Sequence, residues 1–344
     1  MSRLLELVYD RTDLADLDPA ERRLELRRLL AAAVEPDELP QTVAAIADSI
    51  DGYGPLTELM RDATVTDVLV NGPSEVWVER AGRLERTQGS FASREELEAF
   101  TDRLLARAGA RADAAKPVAD ALLPDGSRLS VVLPPVGRAG PLLSFRCFPR
   151  TPLTLTDLTS LGMLSPGHAG QLADCVKRRV AIVLSGGTGT GKTTLANALL
   201  GHVPPDERVV IIEETPELRP ACAHWVSLAA RSENIEGAGR VELADLVRTA
   251  LRMRPDRIVV GEVRGPEALV ALSALATGHE GSILTVHARS AGDALERLVT
   301  LALGASTGVS EGVLRDEARR AFGLVVHLGR DGGRRMVDEI LAVT

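Results

Sequence analysis

Residues 180–200 read VAIVLSGGTGTGKTTLANALL, and this stretch decides the fold of the C-terminal half of the chain. The apolar run at 180–184 predicts a buried strand, and the residues that follow Lys192 predict a helix. Between the two, residues 186–193 have the GxxxxGKT spacing of a phosphate-binding P-loop, a motif that requires this context of strand, loop and helix. The sequence therefore predicts a nucleotide-binding α/β domain with a parallel sheet.

The residue types of the P-loop suit the binding of phosphate. Its glycines allow backbone N–H groups to close around the phosphates, and the N-terminus of the next helix adds a partial positive charge. We expect Lys192 to reach the β and γ phosphates and the hydroxyl of Thr193 to bind Mg²⁺. The predicted nucleotide-binding residues are consecutive: Gly186, Gly187, Thr188, Gly189, Thr190, Gly191, Lys192, Thr193 and Thr194.

A glycine-rich turn without a ligand is the alternative interpretation of the same residues. Lysine is rare in this chain, however: of its 40 basic residues, only Lys116, Lys177 and Lys192 are lysine. One of these stands at the position where a P-loop needs a compact ammonium group, which favours the P-loop.

Two further predicted strands end in carboxylates. The stretch RVVIIEETPEL, residues 208–218, places Glu213, Glu214 and Glu217 after one strand, and DRIVVGEVRG, residues 256–265, places Glu262 after another. Because the carboxyl ends of parallel strands face the ligand crevice, we expect these acids to lie beside the nucleotide. One could bind Mg²⁺ and another could polarise the attacking water. Acids that merely cap strands and begin helices are the alternative.

Two of the chain's 6 histidines, His279 and His287, lie in TGHEGSILTVHARS, residues 277–290, on either side of a short apolar run. A zinc site needs three or four ligands with tetrahedral reach, and neither a cysteine nor another histidine is near in sequence. Histidines of an ordinary core are the other alternative.

Composition limits the classes of function. A chain of 344 residues can form about two domains. Its net charge of -8 argues against broad, sequence-independent binding to nucleic acid. Cys147, Cys175 and Cys222 are too far apart for a disulfide framework or a paired zinc site, and they indicate a reduced cytosolic compartment. No apolar run is long enough for a signal peptide or a membrane span, so we expect membrane association only through a partner.

The N-terminal half predicts a second, α+β domain. Apolar residues alternate or run together in TDVLVN, SEVWVERAGRLE and RLSVVLPP, PDGS predicts a hairpin turn, and SREELEAFTDRLLARAG predicts a helix. Proline and threonine then mark a linker. The predicted boundaries are a helical extension at 1–50, an α+β domain at 51–148, a linker at 149–165 and a nucleotide-binding domain at 166–344.

The order of five segments resembles the secretion ATPases of the type II and type IV superfamily: GGTGTGKTT, VVIIEETPEL, ENIEGAG, LRMRPDRIVVGEVRG and TGHEGSILTVHA. That superfamily has four motifs, namely a Walker A loop, an acidic Asp box, a Walker B strand and a His box. NIEGAG together with the Walker B segment looks most like the CpaF (TadA) branch, which powers tight-adherence (Flp) pili. LVNGPSEVWVE, LLPDGSRLSVVLPPV and LLSFRCFPRTPLTLTDLTSLG match the N-terminal domain and linker of that family, so the resemblance covers about residues 50–330.

The resemblance implies a RecA-like fold for the C-terminal domain, beside the smaller α+β domain and the helical extension. Lys192 becomes the phosphate residue, and Thr193, Glu213 and Glu262 become the Mg²⁺ ligands, directly or through water. Glu262 is the Walker B acid, and Glu213, Glu214 and Glu217 form the Asp box. Most relatives have Glu-Asp at the position of Glu213-Glu214, so the identity of the general base stays open. Glu217 is our first choice for positioning water.

The resemblance also implies roles for two histidines and two arginines. His279 and His287 are expected to lie in the same crevice and to sense the γ phosphate. Arg128 and Arg146 are expected to close over the nucleotide from the N-terminal domain, with the linker at 149–165 as the hinge. The planar guanidinium suits bidentate phosphate contacts, although an ordinary surface arginine is the alternative at either position.

The resemblance therefore implies a cytoplasmic ATPase that needs ATP and Mg²⁺ and that forms a hexamer of identical chains. It is expected to associate peripherally with the inner membrane through platform proteins and to drive assembly of a tight-adherence pilus.

A conjugative type IV secretion ATPase is one alternative, disfavoured by NIEGAG and the acidic charge. A type II secretion or type IVa pilus ATPase usually carries a four-cysteine zinc insert, which this chain lacks. A non-catalytic, nucleotide-gated scaffold is the last alternative, and Lys192 and Glu262 argue against it. Neither zinc nor broad nucleic-acid binding is expected.

Overall fold

The computed structural model describes residues 19–80, 82–147, 152–231, 239–305 and 308–343. The chain divides into two compact units, Met1–Pro149 and Arg150–Thr344. None of the helices in the described part of the chain is both long enough and apolar enough to cross a membrane.

Unit 1 begins with two helices that pack against each other. Helix α1 (Pro19–Leu30) and helix α2 (Leu39–Asp51) bury a small apolar cluster that includes Leu26, Leu30 and Ile46. A short helix, α3 (Thr57–Arg61), follows before the first strand. The helical extension predicted for residues 1–50 thus contains a helical pair in the part that the structure describes.

The rest of unit 1 is an antiparallel sheet covered on one face by a helix. In the described part of this unit, 6 strands lie in the order β3-β2-β1-β6-β5-β4. Helix α4 (Arg94–Arg107) is capped by Ser93, whose hydroxyl accepts the backbone N–H of Glu96. The helix buries Phe100 and Leu104 against the sheet. The strands are β1 (Val65–Asn71), β2 (Val76–Arg80), β3 (Arg83–Arg86), β4 (Val118–Leu122), β5 (Arg128–Val132) and β6 (Leu142–Arg146).

Unit 2 is built on a sheet of 7 described strands in the order β13-β12-β7-β11-β10-β8-β9. The neighbours from β12 to β9 are parallel, whereas β12 and β13 form an antiparallel hairpin. The strands are β7 (Ile182–Gly186), β8 (Val209–Glu213), β9 (Trp225–Ala229), β10 (Arg257–Val263), β11 (Ile283–Val286), β12 (Leu324–Asp331) and β13 (Arg334–Ala342).

Helices cover both faces of this sheet, which explains why its central strands are continuous apolar runs. Successive residues of β7 belong to different hydrophobic clusters, Ile182 to one and Val183 to the other. Helices α5 (Leu155–Ser160), α6 (Pro166–Lys177) and α7 (Lys192–Leu200) pack on one face. Helices α8 (Leu243–Ala250), α9 (Glu267–Ala276), α10 (Ala291–Ala305) and α11 (Glu311–Ala321) pack on the other.

Part of the predicted linker at 149–165 packs within unit 2. Helix α5 begins with a capping box in which Thr154 and Asp157 exchange hydrogen bonds. Leu158 and Met163 are buried in the same hydrophobic cluster as β7. This segment is therefore ordered by apolar packing, and its role as a hinge stays a prediction.

Candidate functional site

The P-loop lies between β7 and α7, as its motif requires. Three of its glycines have positive φ angles, 146° at Gly186, 69° at Gly189 and 99° at Gly191. At Gly186 an added Cβ would lie only 2.3 Å from the carbonyl oxygen of Leu328 in β12. Glycine is needed at this position both for the backbone conformation and for the close approach of a neighbouring strand.

Lys192 lies within the loop that it is predicted to serve. Its side chain is buried, and its Nζ donates to the carbonyl oxygens of Gly186 at 2.9 Å and Gly187 at 2.8 Å. The hydroxyl of Thr190 also donates to the Gly187 carbonyl, at 2.9 Å. The ammonium group, the glycine backbone and the N-terminus of α7 together fit the chemistry of a phosphate-binding cradle.

Thr193 and the Asp box meet beside this cradle. The Thr193 hydroxyl lies 3.4 Å from Oε2 of Glu217, a long hydrogen bond between the P-loop and the segment after β8. Hydroxyl and carboxylate oxygens suit Mg²⁺, which also keeps water and phosphate ligands. Within the described residues, no cluster of three or more His, Cys, Asp and Glu could hold a metal ion by itself. The protein oxygens therefore fit Mg²⁺ that is shared with a nucleotide.

Glu213 is the last residue of β8, and its side chain is buried beneath the Asp-box loop, residues 213–218. Its side chain is 3% exposed, and Oε1 accepts the backbone N–H groups of Glu217 and Leu218, each at 3.0 Å. It packs against Gly261 of β10, where an added Cβ would lie 2.7 Å from Cγ of Glu213. Oε2 is buried and has no hydrogen-bond partner among the described residues. This geometry favours a role in holding the Asp-box loop, and the Mg²⁺ contact of Glu213 stays a prediction.

Burial also changes the protonation of Glu213. Desolvation raises the pKa of this carboxyl from 4.5 to about 7, against the opposing effect of the hydrogen bonds from the backbone of Glu217 and Leu218. Burial therefore favours the protonated form of this carboxyl.

Glu262 and His287 are in contact in the structure. Strands β10 and β11 are parallel neighbours, with Val263 opposite Val286, so Glu262 near the end of β10 lies beside His287, which follows β11. His287 Nε2 lies 3.1 Å from Oε1 of Glu262, and each side chain is 41% exposed. Glu262 and His287, the residues expected to be the Walker B acid and part of the His box, therefore form a contact at the carboxyl edge of the sheet.

His279 does not share this location, which corrects our expectation that both histidines lie in one crevice. His279 precedes β11, whereas His287 follows that strand, so the two histidines lie at opposite ends of β11. His279 has a φ of 63°, and its Nδ1 donates to the Ala274 carbonyl at 3.3 Å. Its own carbonyl accepts the Ser282 hydroxyl at 2.7 Å. Within this chain His279 closes the loop between α9 and β11.

Glu214 is held by a residue that sequence reasoning missed. Its carboxylate forms an ion pair with the guanidinium of Arg264, just after the Walker B strand. Glu267 accepts the backbone N–H groups of Arg264 at 2.7 Å and Gly265 at 2.8 Å, which fixes that turn. The sequence signal for this turn was Glu267, at the start of α9, because a carboxylate at the start of a helix often accepts nearby backbone N–H groups.

Two more residues that we missed come from the C-terminal hairpin, β12 and β13. Arg330 donates through Nε at 3.2 Å and Nη2 at 2.8 Å to the carbonyl oxygen of Gly189 in the P-loop. His327 Nδ1 lies 3.0 Å from the hydroxyl of Ser185, the residue before the first P-loop glycine. These contacts join residues about 140 positions apart, as the 141-residue separation of Arg330 and Gly189 illustrates, and no local pattern could have predicted them.

Arg128 and Arg146 lie in unit 1, on neighbouring strands. They are direct cross-strand partners in β5 and β6, and Arg146 is also opposite Asp67 of β1. Direct partners in an antiparallel sheet share a face, so the two arginines are next to each other. Their contact with a nucleotide stays a prediction.

Comparison with known proteins gives consistent results. A family model described as Type II/IV secretion system protein matches residues 49–315. A putative conjugal transfer protein of Mycobacterium tuberculosis is 42% identical over 310 residues, which cover 88% of this chain and 88% of that protein. The conjugal transfer protein TrbB of Rhizobium radiobacter is 32% identical over 308 residues, covering 88% and 91%. The type IV secretion system protein PtlH of Bordetella pertussis is 34% identical over 262 residues, covering 70% and 77%.

Solved structures support the fold. The pilus retraction motor PilT, solved with bound ADP, superposes with a TM-score of 0.61 at 19% identity, covering 83% of this chain and 82% of that one. The ATPase DotB of Legionella pneumophila gives a TM-score of 0.60 at 20% identity, covering 84% and 80%. The predicted fold class, a RecA-like α/β domain with a smaller α+β domain, is confirmed.

Proposed function

Since the chain belongs to the type II/IV secretion system protein family, we propose that it is the ATP-hydrolysing motor of a conjugal-transfer type IV secretion machine. One observation carries the ATPase proposal: the P-loop, Glu217, and the Glu262–His287 pair all lie at the carboxyl ends of parallel strands, at the same edge of one sheet. The printed names of relatives with 42% and 32% identity support the conjugal-transfer part.

In this proposal each group at the carboxyl edge has a separate task. Backbone N–H groups of the P-loop and the ammonium of Lys192 bind the phosphates. Thr193 and Glu262 hold Mg²⁺, directly or through water, and the ion neutralises phosphate charge when bound. Glu217, beside Thr193, orients the attacking water. The carboxylate of Glu214 is paired with Arg264, whereas that of Glu217 lies beside Thr193. Glu217 is therefore the better candidate for the general base.

His287 acts as the sensor in this proposal. Its contact with Glu262 gives it a direct link to the Walker B acid, so a change of charge at the phosphates can change that hydrogen bond. Arg128 and Arg146 bring additional positive charge from unit 1 when the units close. Their position as cross-strand partners allows them to act together on one phosphate group.

The partners in this proposal follow from the family resemblance. The motor is a hexamer of identical chains in the cytoplasm, bound through platform proteins to the inner membrane. Hydrolysis at the carboxyl edge drives motion of unit 1 relative to unit 2 around the predicted hinge at 149–165.

A tight-adherence pilus motor is the second candidate. It is favoured by NIEGAG, residues 234–239, followed by LRMRPDRIVVGEVRG, residues 251–265. Residues 232–238 lie outside the described part of the chain, so the motif contributes to this candidate through its sequence. The names of the relatives support the conjugal alternative more than this branch.

Phosphate release by the purified protein tests the ATPase proposal. We expect Lys192→Ala to abolish turnover, because the phosphates lose their point charge. Lys177→Ala, at an exposed lysine of α6 in the same unit, is the matched control and should keep wild-type turnover. Turnover by Lys192→Ala close to that of wild type would contradict the assignment. ATP binding by the wild type without phosphate release would favour the scaffold alternative.

Genetic complementation in the native host tests the machine that the motor serves. A strain that lacks this protein should lose transfer of a mobilisable plasmid, and the wild-type gene but not the Lys192→Ala gene should restore it. Loss of surface pili with unchanged plasmid transfer would favour the second candidate. If the strain keeps both plasmid transfer and pili, both candidates are wrong.

A further inference from the structure

The C-terminal hairpin extends beyond the end of β7 and reaches the P-loop. Strand β12 pairs with β7 up to the partners Leu328 and Gly186, where β7 ends. Its last residues, Gly329, Arg330 and Asp331, continue past that point. The absence of a side chain at Gly186 lets the Leu328 carbonyl come close to the start of the loop. The register of the two strands thus delivers Arg330 to the P-loop.

The contact that Arg330 makes is specific to one carbonyl group. Both Nε, at 3.2 Å, and Nη2, at 2.8 Å, donate to the oxygen of Gly189. Gly189 has a φ of 69°, and an added Cβ would lie 2.9 Å from Nη2. Three residues earlier in β12, His327 Nδ1 lies 3.0 Å from the hydroxyl of Ser185 in β7, a second contact between these two strands. The exposed guanidinium of Arg330 is therefore tied to the loop by two hydrogen bonds to a single oxygen.

The geometry of the peptide bond gives this contact a consequence. In a trans peptide unit the C=O and N–H groups point in opposite directions. When Arg330 holds the Gly189 carbonyl toward the hairpin, the N–H of Thr190 must point away from it. The side chain of Thr190 is anchored as well, by its bond to the Gly187 carbonyl at 2.9 Å. Both sides of the 189–190 peptide are thus restrained.

We propose that Arg330 is a positioning residue of the phosphate-binding loop, which presets the Thr190 N–H toward the nucleotide phosphates by holding the Gly189 carbonyl. The inference deepens the proposed function and rests on its nucleotide-binding part. A loop that is already organised loses less conformational freedom when the ligand binds. Arg330 acts through the backbone of residues 189 and 190 and makes no contact with the reacting atoms.

The proposal predicts a change in affinity rather than in the chemical step. The Thr190 N–H would contact phosphate in the bound and reacting states alike, so its loss should raise KM and leave kcat nearly unchanged. A hydrogen bond to a charged group that is lost or misaligned weakens binding by about tenfold or more. ADP and ATP should be affected to a similar extent.

Three substitutions at one position separate the hydrogen bond from the charge. Arg330→Met removes both, Arg330→Lys keeps the charge but has no donor at the chain position of Nε, and Arg330→Gln keeps an N–H donor at that position without the charge. Arg320→Met, at an exposed arginine of α11, is the matched control. Fluorescent ADP is titrated against each full-length variant, and phosphate release gives KM and kcat. Circular dichroism checks folding.

We expect Arg330→Met to weaken ADP binding about tenfold or more, with kcat within about threefold of wild type. Arg330→Gln should recover part of the affinity, and Arg320→Met should match wild type. The inference is wrong if Arg330→Met binds ADP within about twofold of wild type, or if Lys restores affinity while Gln does not, since charge alone would then explain the effect. It is also wrong if kcat falls while KM is unchanged.

The remaining outcomes are also decisive. If Arg330→Met does not fold, the affinity of Arg330→Gln for ADP decides. A folded Gln variant with nearly normal affinity supports the proposal, and a folded Gln variant with a loss of about tenfold overturns it. If the wild-type protein binds neither ADP nor ATP, the proposed function fails. Normal binding by wild type with unaffected Arg330 variants removes this inference alone.

Discussion

Glu213 accepts a hydrogen bond at 3.0 Å from the backbone N–H of Glu217, the residue whose own carboxylate lies 3.4 Å from the Thr193 hydroxyl. The same oxygen of Glu213 accepts the Leu218 N–H, so one buried atom closes the Asp-box loop. The first acid of the box therefore holds the loop, and the last acid faces the P-loop.

Substitution at Glu213 distinguishes this role from Mg²⁺ binding. Glu213→Gln retains an oxygen that accepts both N–H groups, so ATPase activity should stay within several fold of wild type. Glu213→Ala leaves the buried N–H of Leu218 and the partly buried N–H of Glu217 without their acceptor, at about 1–3 kcal/mol for the buried group, and should lower both stability and activity. Phosphate release at varied Mg²⁺ and urea unfolding measure the two effects. A large increase in the Mg²⁺ requirement of the Gln variant alone would restore the metal-ligand interpretation.

Stability should depend on pH through the same carboxyl. Because burial raises the pKa of Glu213 from 4.5 to about 7, the folded protein holds this proton to a higher pH than the unfolded chain. The contribution to stability is fully present below pH 4.5 and is lost as the pH rises through about 7, by on the order of 3 kcal/mol. Urea unfolding at about pH 5 and pH 8 should show a smaller loss for Glu213→Gln than for wild type. Equal losses would contradict this prediction.

The two histidines should differ in their effects on catalysis. His287→Ala should keep nucleotide affinity within a few fold but impair hydrolysis, because its contact with Glu262 is lost. His279→Asn is the matched variant, since Asn tolerates the left-handed backbone found there. It should affect stability more than kcat. An equal loss of kcat in both variants, measured by phosphate release, would show that the histidines act at a common site.

Arg146 should matter for ATP and not for ADP. If it meets the γ phosphate only in the closed state, Arg146→Ala should bind fluorescent ADP normally, lose its preference for a non-hydrolysable ATP analogue, and slow hydrolysis on the order of 10³-fold. Arg146→Lys should rescue little, because a point charge lacks the planar fork. Arg83→Ala, an exposed arginine of the same sheet, is the control. Equal losses for both nucleotides would instead indicate a structural role.

The sequence by itself determined the fold class and the P-loop. The GxxxxGKT spacing lies within one short segment between an apolar run and a helix, so the conformation it needs is specified locally. Apolar runs without alternation indicated strands that are buried on both faces. The placement of Glu217, Glu262 and His287 near the carboxyl ends of strands was also predictable, because parallel strands bring these ends to one edge.

Only the tertiary structure decided how residues distant in the chain act on one another. Glu213 is buried because β8 and β10 are neighbours and Gly261 leaves room for its side chain. His279 lies away from His287 because the direction of β11 separates the two ends of that strand. Arg330 contacts Gly189, 141 residues away in sequence, because the register of β12 against β7 places Arg330 beyond the end of β7. Periodicity reports which side of an element is buried, whereas strand order and register determine what it is buried against.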